Sequence, residues 1–235
     1  MQKIQRLEIA GLTTRIVDTP DAARTVVLLH GFGAPGDDLV ALAQFIKAPQ
    51  TRFVFPAAPL ELGGLYGDAR AWWLLDLARM EQELRTGAVR DRRGEVPEGL
   101  VEVRATVTRF LDEVKAQFSL DDSQLVLGGF SQGAMVSLDV ALHRDTPPAG
   151  LILMSGTLLA EEEWKPRMTK LAGVPIVQSH GRHDPLLPFS IAEILRDQLK
   201  AAGADVDWIP FAGGHEIPPP VLAGVSKLLT RSTSR

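Results

Sequence analysis

Ser131 lies in the pentapeptide Gly129-Phe130-Ser131-Gln132-Gly133, which has the Gly-x-Ser-x-Gly pattern of a nucleophile on a sharp strand-to-helix turn. Such a turn strains the serine backbone and raises its hydroxyl above the sheet edge, so the flanking residues must be small. The apolar run Gln124 to Gly128 predicts a strand directly before the turn, and Gln132 to His143 has helical spacing directly after it. This context favours a nucleophilic serine over a glycine-rich turn with an idle serine.

A serine hydroxyl is a weak nucleophile near neutral pH, so it needs a base to take its proton and a carboxylate to orient that base. The chain order typical of this chemistry in an α/β sheet is Ser, then Asp or Glu, then His. Asp184 follows one apolar run and His215 follows the next, each in a loop at the carboxyl end of a predicted strand. Ligands bind at that edge of an open α/β sheet. We therefore predict Asp184 and His215 as the partners of Ser131.

The other histidines and two nearby aspartates are weaker candidates. His143 falls at the end of the helix after Ser131, where a cation interacts favourably with the helix dipole, so we expect a structural role. His30 and His180 each end a predicted strand and are expected to hold loops. Asp139 and Asp145 follow Ser131 on its own helix and are expected to point away from a later histidine.

A metal or cofactor is not expected. His180, His183 and Asp184 are ligand types, but their spacing matches no recognised metal site. The chain contains no cysteine, which excludes disulfides, thiolate metal sites and a cysteine nucleophile.

Two backbone amides are predicted to form an oxyanion hole, the pair of donors that stabilises negative charge on a carbonyl oxygen during acyl transfer. The N–H of Gln132 begins a helix directly after the nucleophile. The second donor is expected from a loop after an earlier strand, and His30-Gly31-Phe32-Gly33 follows the apolar run Thr25 to Leu29. We predict the Phe32 N–H as this donor, although an ordinary strand-to-helix turn would have similar residues.

Around these residues, the chain alternates between short β-branched or leucine-rich runs and longer stretches with helical spacing. Such alternation predicts an α/β fold, with a mostly parallel sheet and helices on both faces. An opening hairpin, Leu7 to Ala10 and Thr13 to Val17, precedes the predicted strands 25–29, 53–55, 124–128, 150–154, 174–179 and 205–211. The predicted helices are 38–46, 101–118, 132–143, 190–202 and 220–229.

Length and composition limit the function classes. The 235 residues, 45% hydrophobic and 23% charged, fit one domain over 1–235 with a short tail at 231–235. The start of the chain has no signal-peptide core and no run is long enough to span a membrane, so we expect a cytoplasmic protein without stable membrane insertion. The net charge of -4 gives no reason to expect nucleic-acid binding.

The segment from Glu61 to Gly99 interrupts the alternation. It is too long for an ordinary connection, and two adjacent tryptophans followed by leucines argue against disorder. We interpret it as a cap or rim beside the site. A peripheral helix from Trp73 to Leu84 that merely docks on the core fits equally well.

Taken together, the motifs resemble the phospholipase/carboxylesterase family, the bacterial relatives of acyl-protein thioesterases. The resemblance spans nearly the whole chain and rests on residues 28–33 with 37–39, 55–59, 71–73, 129–135, 180–181 with Asp184 and Pro188, and 213–215. It implies an α/β-hydrolase fold and a cofactor-free esterase with the triad Ser131, Asp184 and His215 and the oxyanion donors Phe32 and Gln132.

Two departures from the family pattern lie where the acyl group would be selected. The family usually has Trp-Phe-Asp where this chain has Trp72-Trp73-Leu74-Leu75-Asp76, and the stretch up to Gly99 is unusually rich in Arg and Glu. Leu65, Trp72 and Trp73 are our candidates for an apolar surface that binds the acyl or aryl part, with core packing as the alternative.

The predicted activity is hydrolysis of carboxylic esters with small to medium acyl or aryl groups through an acyl-enzyme. Acyl-protein thioesterase or lysophospholipase activity is the main alternative. A lyase or peptidase built on the same triad, or a ligand-binding homologue that has lost activity, is also consistent with the fold. The sequence does not determine the oligomeric state, and exposed Trp72 and Trp73 would fit an interface equally well.

Overall fold

An eight-stranded sheet forms the centre of the computed structural model, which describes residues 4–64, 67–86 and 91–231. The strands are β1 Ile4–Ile9, β2 Leu12–Val17, β3 Arg24–Leu29, β4 Thr51–Pro56, β7 Leu125–Phe130, β8 Gly150–Met154, β9 Pro175–Gly181 and β10 Asp205–Phe211. Their order in the sheet is β1-β2-β4-β3-β7-β8-β9-β10. A separate two-stranded hairpin consists of β5 Leu60–Glu61 and β6 Arg70–Ala71.

Six neighbouring strands are parallel, namely β4, β3, β7, β8, β9 and β10. The other two are antiparallel: β1 pairs with β2, and β2 pairs with β4. Parallel neighbours end at the same edge of the sheet, so the loops after β3, β7, β9 and β10 share one side of the molecule. The predicted α/β fold with a mostly parallel sheet and an opening hairpin is confirmed.

Helices cover both faces because side chains alternate along each strand. The helices are α1 Leu77–Thr86, α2 Leu100–Phe118, α3 Gln132–His143, α4 Glu161–Trp164, α5 Phe189–Ala201 and α6 Pro219–Thr230. Val27 and Leu29 pack into one core with helices α2, α3 and α5, whereas Val26 and Leu28 pack into the other with α6. In the described ranges, no helix has both the length and the apolar character that a membrane span requires.

The structure differs from the sequence prediction in several short regions, among them the hairpin of β5 and β6, which was not predicted. The predicted helix 38–46 is a 3-10 turn over Val40–Gln44, and α4 with the following 3-10 segment Lys165–Leu171 was not predicted. The predicted peripheral helix begins later, at Leu77, because the Asp76 carboxylate accepts a hydrogen bond from the Arg79 N–H at 2.9 Å, as an N-cap does.

Candidate active site

Ser131 occupies the junction between β7 and α3 with φ 54° and ψ -119°, a strained conformation for a residue with a side chain. Its N–H donates to the Met154 carbonyl of the neighbouring strand at 2.8 Å, which fixes the turn against the sheet. A Cβ atom on Gly129 or Gly133 would collide with the Leu29 carbonyl of β3. The two glycines therefore allow the turn to pack against the end of β3.

Asp184 and His215 meet because the loops after β9 and β10 lie side by side. The Arg182 N–H donates to the Phe211 carbonyl and the His183 N–H to the Gly213 carbonyl, each at 2.9 Å. With the loops held in this way, His215 Nδ1 lies 2.7 Å from Asp184 Oδ2. The structure thus brings together two residues that are 31 positions apart in the sequence.

The Asp184 carboxylate is buried and fully hydrogen-bonded. Its Oδ1 atom accepts from the N–H groups of Leu186 at 2.8 Å and Leu187 at 2.9 Å, while Oδ2 faces His215. Burial alone would raise the pKa of Asp184, but the hydrogen bond and charge of His215 and the two amides outweigh burial and hold that pKa below its ordinary value. Asp184 is therefore an anion that orients the imidazole and leaves Nε2 as its acceptor nitrogen.

His180 and His30 hold loops, as expected. His180 Nε2 lies 2.9 Å from the Leu187 carbonyl and 3.4 Å from Asp184 Oδ2, and burial lowers the pKa of His180. His30 Nδ1 donates to the Gly31 carbonyl at 2.7 Å, and its Nε2 accepts from the Ala58 N–H at 3.0 Å. Burial also lowers the pKa of His30, so both rings are neutral near pH 7.

Asp139 is buried away from these residues and belongs to a separate ion pair. Its carboxylate accepts two hydrogen bonds from Arg104, at 2.7 and 2.9 Å, and one from Trp164 Nε1 at 2.8 Å. His143 Nδ1 donates to the Asp139 carbonyl at 2.8 Å. This network connects α2, α3 and α4. Among the residues that the structure describes, no group of three or more His, Cys, Asp or Glu is arranged to hold a metal.

The two predicted oxyanion amides lie beside the serine. Gln132 begins α3, and Phe32 follows Gly31, whose Cβ position would be 3.3 Å from Ser131 Cβ. Within the described part of the chain, neither the Phe32 N–H nor the Gln132 N–H has a hydrogen-bond partner. Two such donors beside one hydroxyl suit a tetrahedral oxyanion.

A cavity of about 410 Å³ opens over Ser131, His215, Phe32 and Gln132. Its walls are mainly apolar. They include Trp73, Leu74, Leu75, Val96, Pro97, Phe130, Met135, Leu159, Leu186 and Leu187. The Phe130 ring lies 4.8 Å from the His215 imidazole, centroid to centroid. The cavity can therefore hold an apolar group next to a serine, an imidazole and two amide donors.

The three predicted substrate-binding residues have different positions. Trp73 lines the cavity. Trp72 is fully buried and does not line it, because its indole points into the core and Nε1 donates to the His30 carbonyl at 2.9 Å. Leu65 lies outside the described residues.

Sequence reasoning missed the side chain of Gln132. Its Oε1 accepts from the Trp72 N–H and its Nε2 donates to the Trp73 carbonyl, both at 2.9 Å. The motif gave no signal of these contacts, because the x positions of Gly-x-Ser-x-Gly are unrestricted and the partners lie about 60 residues away.

Two stretches of segment 61–99 form one side of the cavity, one between Trp73 and Arg79 and the other between Arg92 and Glu98. Two backbone hydrogen bonds attach this side to the start of α4. They run from the Ala160 N–H to the Glu95 carbonyl at 2.9 Å and from the Glu161 N–H to the Arg93 carbonyl at 2.8 Å. An ion pair between Arg79 and Glu95 at 2.7 Å connects the two stretches.

Comparison with known proteins gives one family. The sequence profile of the phospholipase/carboxylesterase family matches residues 14–233. Acyl-protein thioesterase 1 of Neurospora crassa is 28% identical over 204 residues, which are 81% of this chain and 79% of that protein. Acyl-protein thioesterase 1 of Candida albicans is 28% identical over 193 residues, or 77% and 79% of the two chains.

Solved structures agree with this result. The crystal structure of esterase PE8 superimposes with a TM-score of 0.76 at 29% identity, covering 93% of this chain and 97% of its own. The carboxylesterase from Mesorhizobium loti superimposes with a TM-score of 0.73 at 20% identity, covering 96% and 98%. The second likeness concerns the fold alone.

Proposed function

Because this chain belongs to the phospholipase/carboxylesterase family of esterases and thioesterases, we propose that it is a serine carboxylesterase that uses Ser131, His215 and Asp184. Its substrates are carboxylic esters with small to medium acyl or aryl groups. The proposal is carried by His215, which is paired with Asp184 and lines the same mainly apolar cavity as Ser131. The N–H groups of Phe32 and Gln132 lie at this cavity too, and neither has a hydrogen-bond partner among the residues that the structure describes. The family and the α/β-hydrolase fold indicated by the sequence motifs are confirmed.

In the acylation step, the Ser131 hydroxyl attacks the ester carbonyl carbon while His215 Nε2 takes the hydroxyl proton. The imidazolium that forms is stabilised by Asp184, whose anionic state follows from its lowered pKa. The tetrahedral intermediate then collapses, the bond to the alcohol oxygen breaks, and His215 gives its proton to the departing alcohol. The acyl group remains on Ser131.

The deacylation step repeats this chemistry with water. His215 takes a proton from water, the hydroxide attacks the acyl carbon, and the proton returns to the Ser131 oxygen as the acid leaves. In both steps the carbonyl oxygen becomes an anion, and the N–H groups of Phe32 and Gln132 stabilise it. The dipole of α3 adds to the effect at Gln132.

The cavity supports the proposed acyl or aryl preference. Its walls are mainly apolar, and burial of each CH₂ group contributes about 0.8 kcal/mol. The described parts of segment 61–99 act as the cap or rim of this site, with Trp73 as a wall residue. The enzyme needs no metal or cofactor for this chemistry.

The test is hydrolysis of a short p-nitrophenyl ester by the purified protein and by Ser131→Ala. We expect the variant to lose turnover while keeping its fold, measured by circular dichroism and thermal unfolding. A fluorophosphonate probe should label the parent protein and spare the variant. Retained turnover in Ser131→Ala contradicts the proposal, and an unlabelled parent protein would favour a non-catalytic binding homologue.

An acyl-protein thioesterase is the second candidate, because the relatives in Neurospora crassa and Candida albicans carry that name. Matched oxygen esters and thioesters of the same acyl group distinguish the two activities. A higher kcat/KM for the ester across a series of acyl lengths supports the carboxylesterase. A preference for the thioester that grows with acyl length supports the thioesterase.

A further inference from the structure

We propose that Trp72 is a positioning residue that sets the spacing between the two oxyanion donors, the N–H groups of Phe32 and Gln132. This inference rests on the proposed function. Trp72 does not line the cavity, so it acts on the reaction only through the groups to which it is hydrogen-bonded. Those groups belong to both loops that supply the donors.

The first connection is to the loop that carries Phe32. The Trp72 indole N–H donates to the His30 carbonyl at 2.9 Å, and the two rings pack with their centroids 5.6 Å apart. His30 also bonds to the Gly31 carbonyl, directly before Phe32. The position of the loop at 30–32 is therefore tied to the Trp72 side chain.

The second connection is to the residue after the nucleophile. The Trp72 backbone N–H donates to Gln132 Oε1, and the Trp73 carbonyl accepts from Gln132 Nε2, both at 2.9 Å. The Gln132 amide side chain thus spans the two tryptophans. Because the same residue supplies a predicted oxyanion N–H, Trp72 is connected to both donors.

These connections are shielded from water. Trp72 is fully buried, and His30 and Gln132 are only 2% and 1% exposed. A hydrogen bond lost in such a place is not replaced by water, so the His30 carbonyl would be left without its indole partner and its loop would shift. Displacements of about 1 Å in an active site can lower a rate by about 10²-fold.

The test is Trp72→Phe, which keeps a large buried ring and removes the indole N–H. We expect kcat for a p-nitrophenyl ester to fall about 10- to 100-fold, less than the ~10²- to 10³-fold typical of losing a whole donor, with KM changed by less than about twofold. Affinity for a boronic acid that forms a tetrahedral adduct on Ser131 should fall by the same factor as kcat/KM, because the adduct presents an oxygen to the same amides.

Trp164→Phe is the matched control. Trp164 is also fully buried, and its indole N–H donates to Asp139 Oδ1 at 2.8 Å, away from the cavity. Both variants should lose thermal stability, but only Trp72→Phe should lose kcat and boronic acid affinity. Equal kinetics in the two variants, or a change in KM alone, overturns the inference.

A second route uses Gln132→Met, which removes both side-chain hydrogen bonds and keeps the backbone N–H. It should show the same loss of kcat with little change in KM, and it carries the test by the same criteria if Trp72→Phe does not fold. When Trp72→Phe and Gln132→Met are combined, the loss of kcat should be less than additive, because both changes interrupt the same connection between the two oxyanion donors. If the parent activity depends on Ser131 and these variants are unaffected, only this inference fails; if Ser131→Ala remains active, the proposed function fails.

Discussion

His215 Nδ1 lies 2.7 Å from Asp184 Oδ2, and the other oxygen of that carboxylate accepts two backbone N–H groups. The carboxylate is thus oriented by its own loop, so it can hold the imidazole in one tautomer. A substitution that weakens this pair should therefore lower kcat more than it lowers the stability of the fold.

Asp184→Asn should lower kcat by about 10⁴-fold, because an amide can donate to Nδ1 and favour the wrong tautomer of His215. The N–H groups of Leu186 and Leu187 still find an acceptor in the amide oxygen, so the loop should remain in place. Stopped-flow or single-turnover kinetics measure the loss of kcat. Asp145→Asn, an exposed aspartate, is the control, and a similar kcat in both variants would contradict the assignment.

The same carboxylate should contribute to acid stability. The pKa of Asp184 is lower in the folded protein than its ordinary value of 3.8, so its contribution is present above about pH 4 and is lost as the pH falls through the folded pKa. Urea unfolding of the parent protein and of Asp184→Asn from pH 7 to pH 3 checks this. The parent should lose its stability more steeply below pH 4, and parallel curves would show that Asp184 makes no such contribution.

Gly133→Ala should destabilise the protein by at least about 1–3 kcal/mol, because the new methyl group would overlap the Leu29 carbonyl. It should also reduce kcat, since relief of the overlap separates the elbow from β3. Gly94→Ala is the control because its Cβ position has no atom within 4 Å. Chemical denaturation measures the difference, and equal stability of the two variants would contradict the close approach.

Arg104→Met should destabilise the fold by up to about 3–5 kcal/mol, because it leaves the fully buried Asp139 carboxylate without its bidentate partner. Activity per folded molecule should stay unchanged, since the pair lies away from the cavity. The exposed Arg231–Asp205 pair provides the comparison, and Arg231→Met should cost only about 0–1 kcal/mol. Thermal unfolding and an assay below both melting temperatures test the two statements.

A series of p-nitrophenyl esters should probe the cavity. If each CH₂ group contributes about 0.8 kcal/mol, kcat/KM can rise by at most about fourfold per CH₂ until the cavity is full. Leu159→Trp places a larger side chain in the wall and narrows the cavity, so kcat/KM should stop rising at a shorter acyl chain. Phe45→Trp, at a residue 65% exposed and outside the cavity lining, should leave the series unchanged. An unchanged series in Leu159→Trp would show that the acyl group binds elsewhere.

Much of the fold could be predicted because the signals are local. β8 and β10 have the predicted bounds, and β4 extends the predicted strand 53–55 to Thr51–Pro56. The hairpin of β5 and β6 was missed because strands of two residues show no periodicity. Helix α4 was missed because it has only one buried apolar residue, Trp164, among three glutamates and just before a proline, and so shows no helical periodicity.

At the candidate site, the features that depend on neighbouring residues could be predicted from the sequence. They are a serine between glycines at a strand-to-helix junction, and an aspartate and a histidine at the ends of later strands. The position of Trp72, by contrast, became clear only in the folded protein. An adjacent pair of tryptophans looks alike in every local pattern, yet one lines the cavity and the other is buried in the core. The reason is that the partners of Trp72, His30 and Gln132, lie 42 and 60 residues away, and hydrogen bonds over such separations exist only once β3 and β7 are paired.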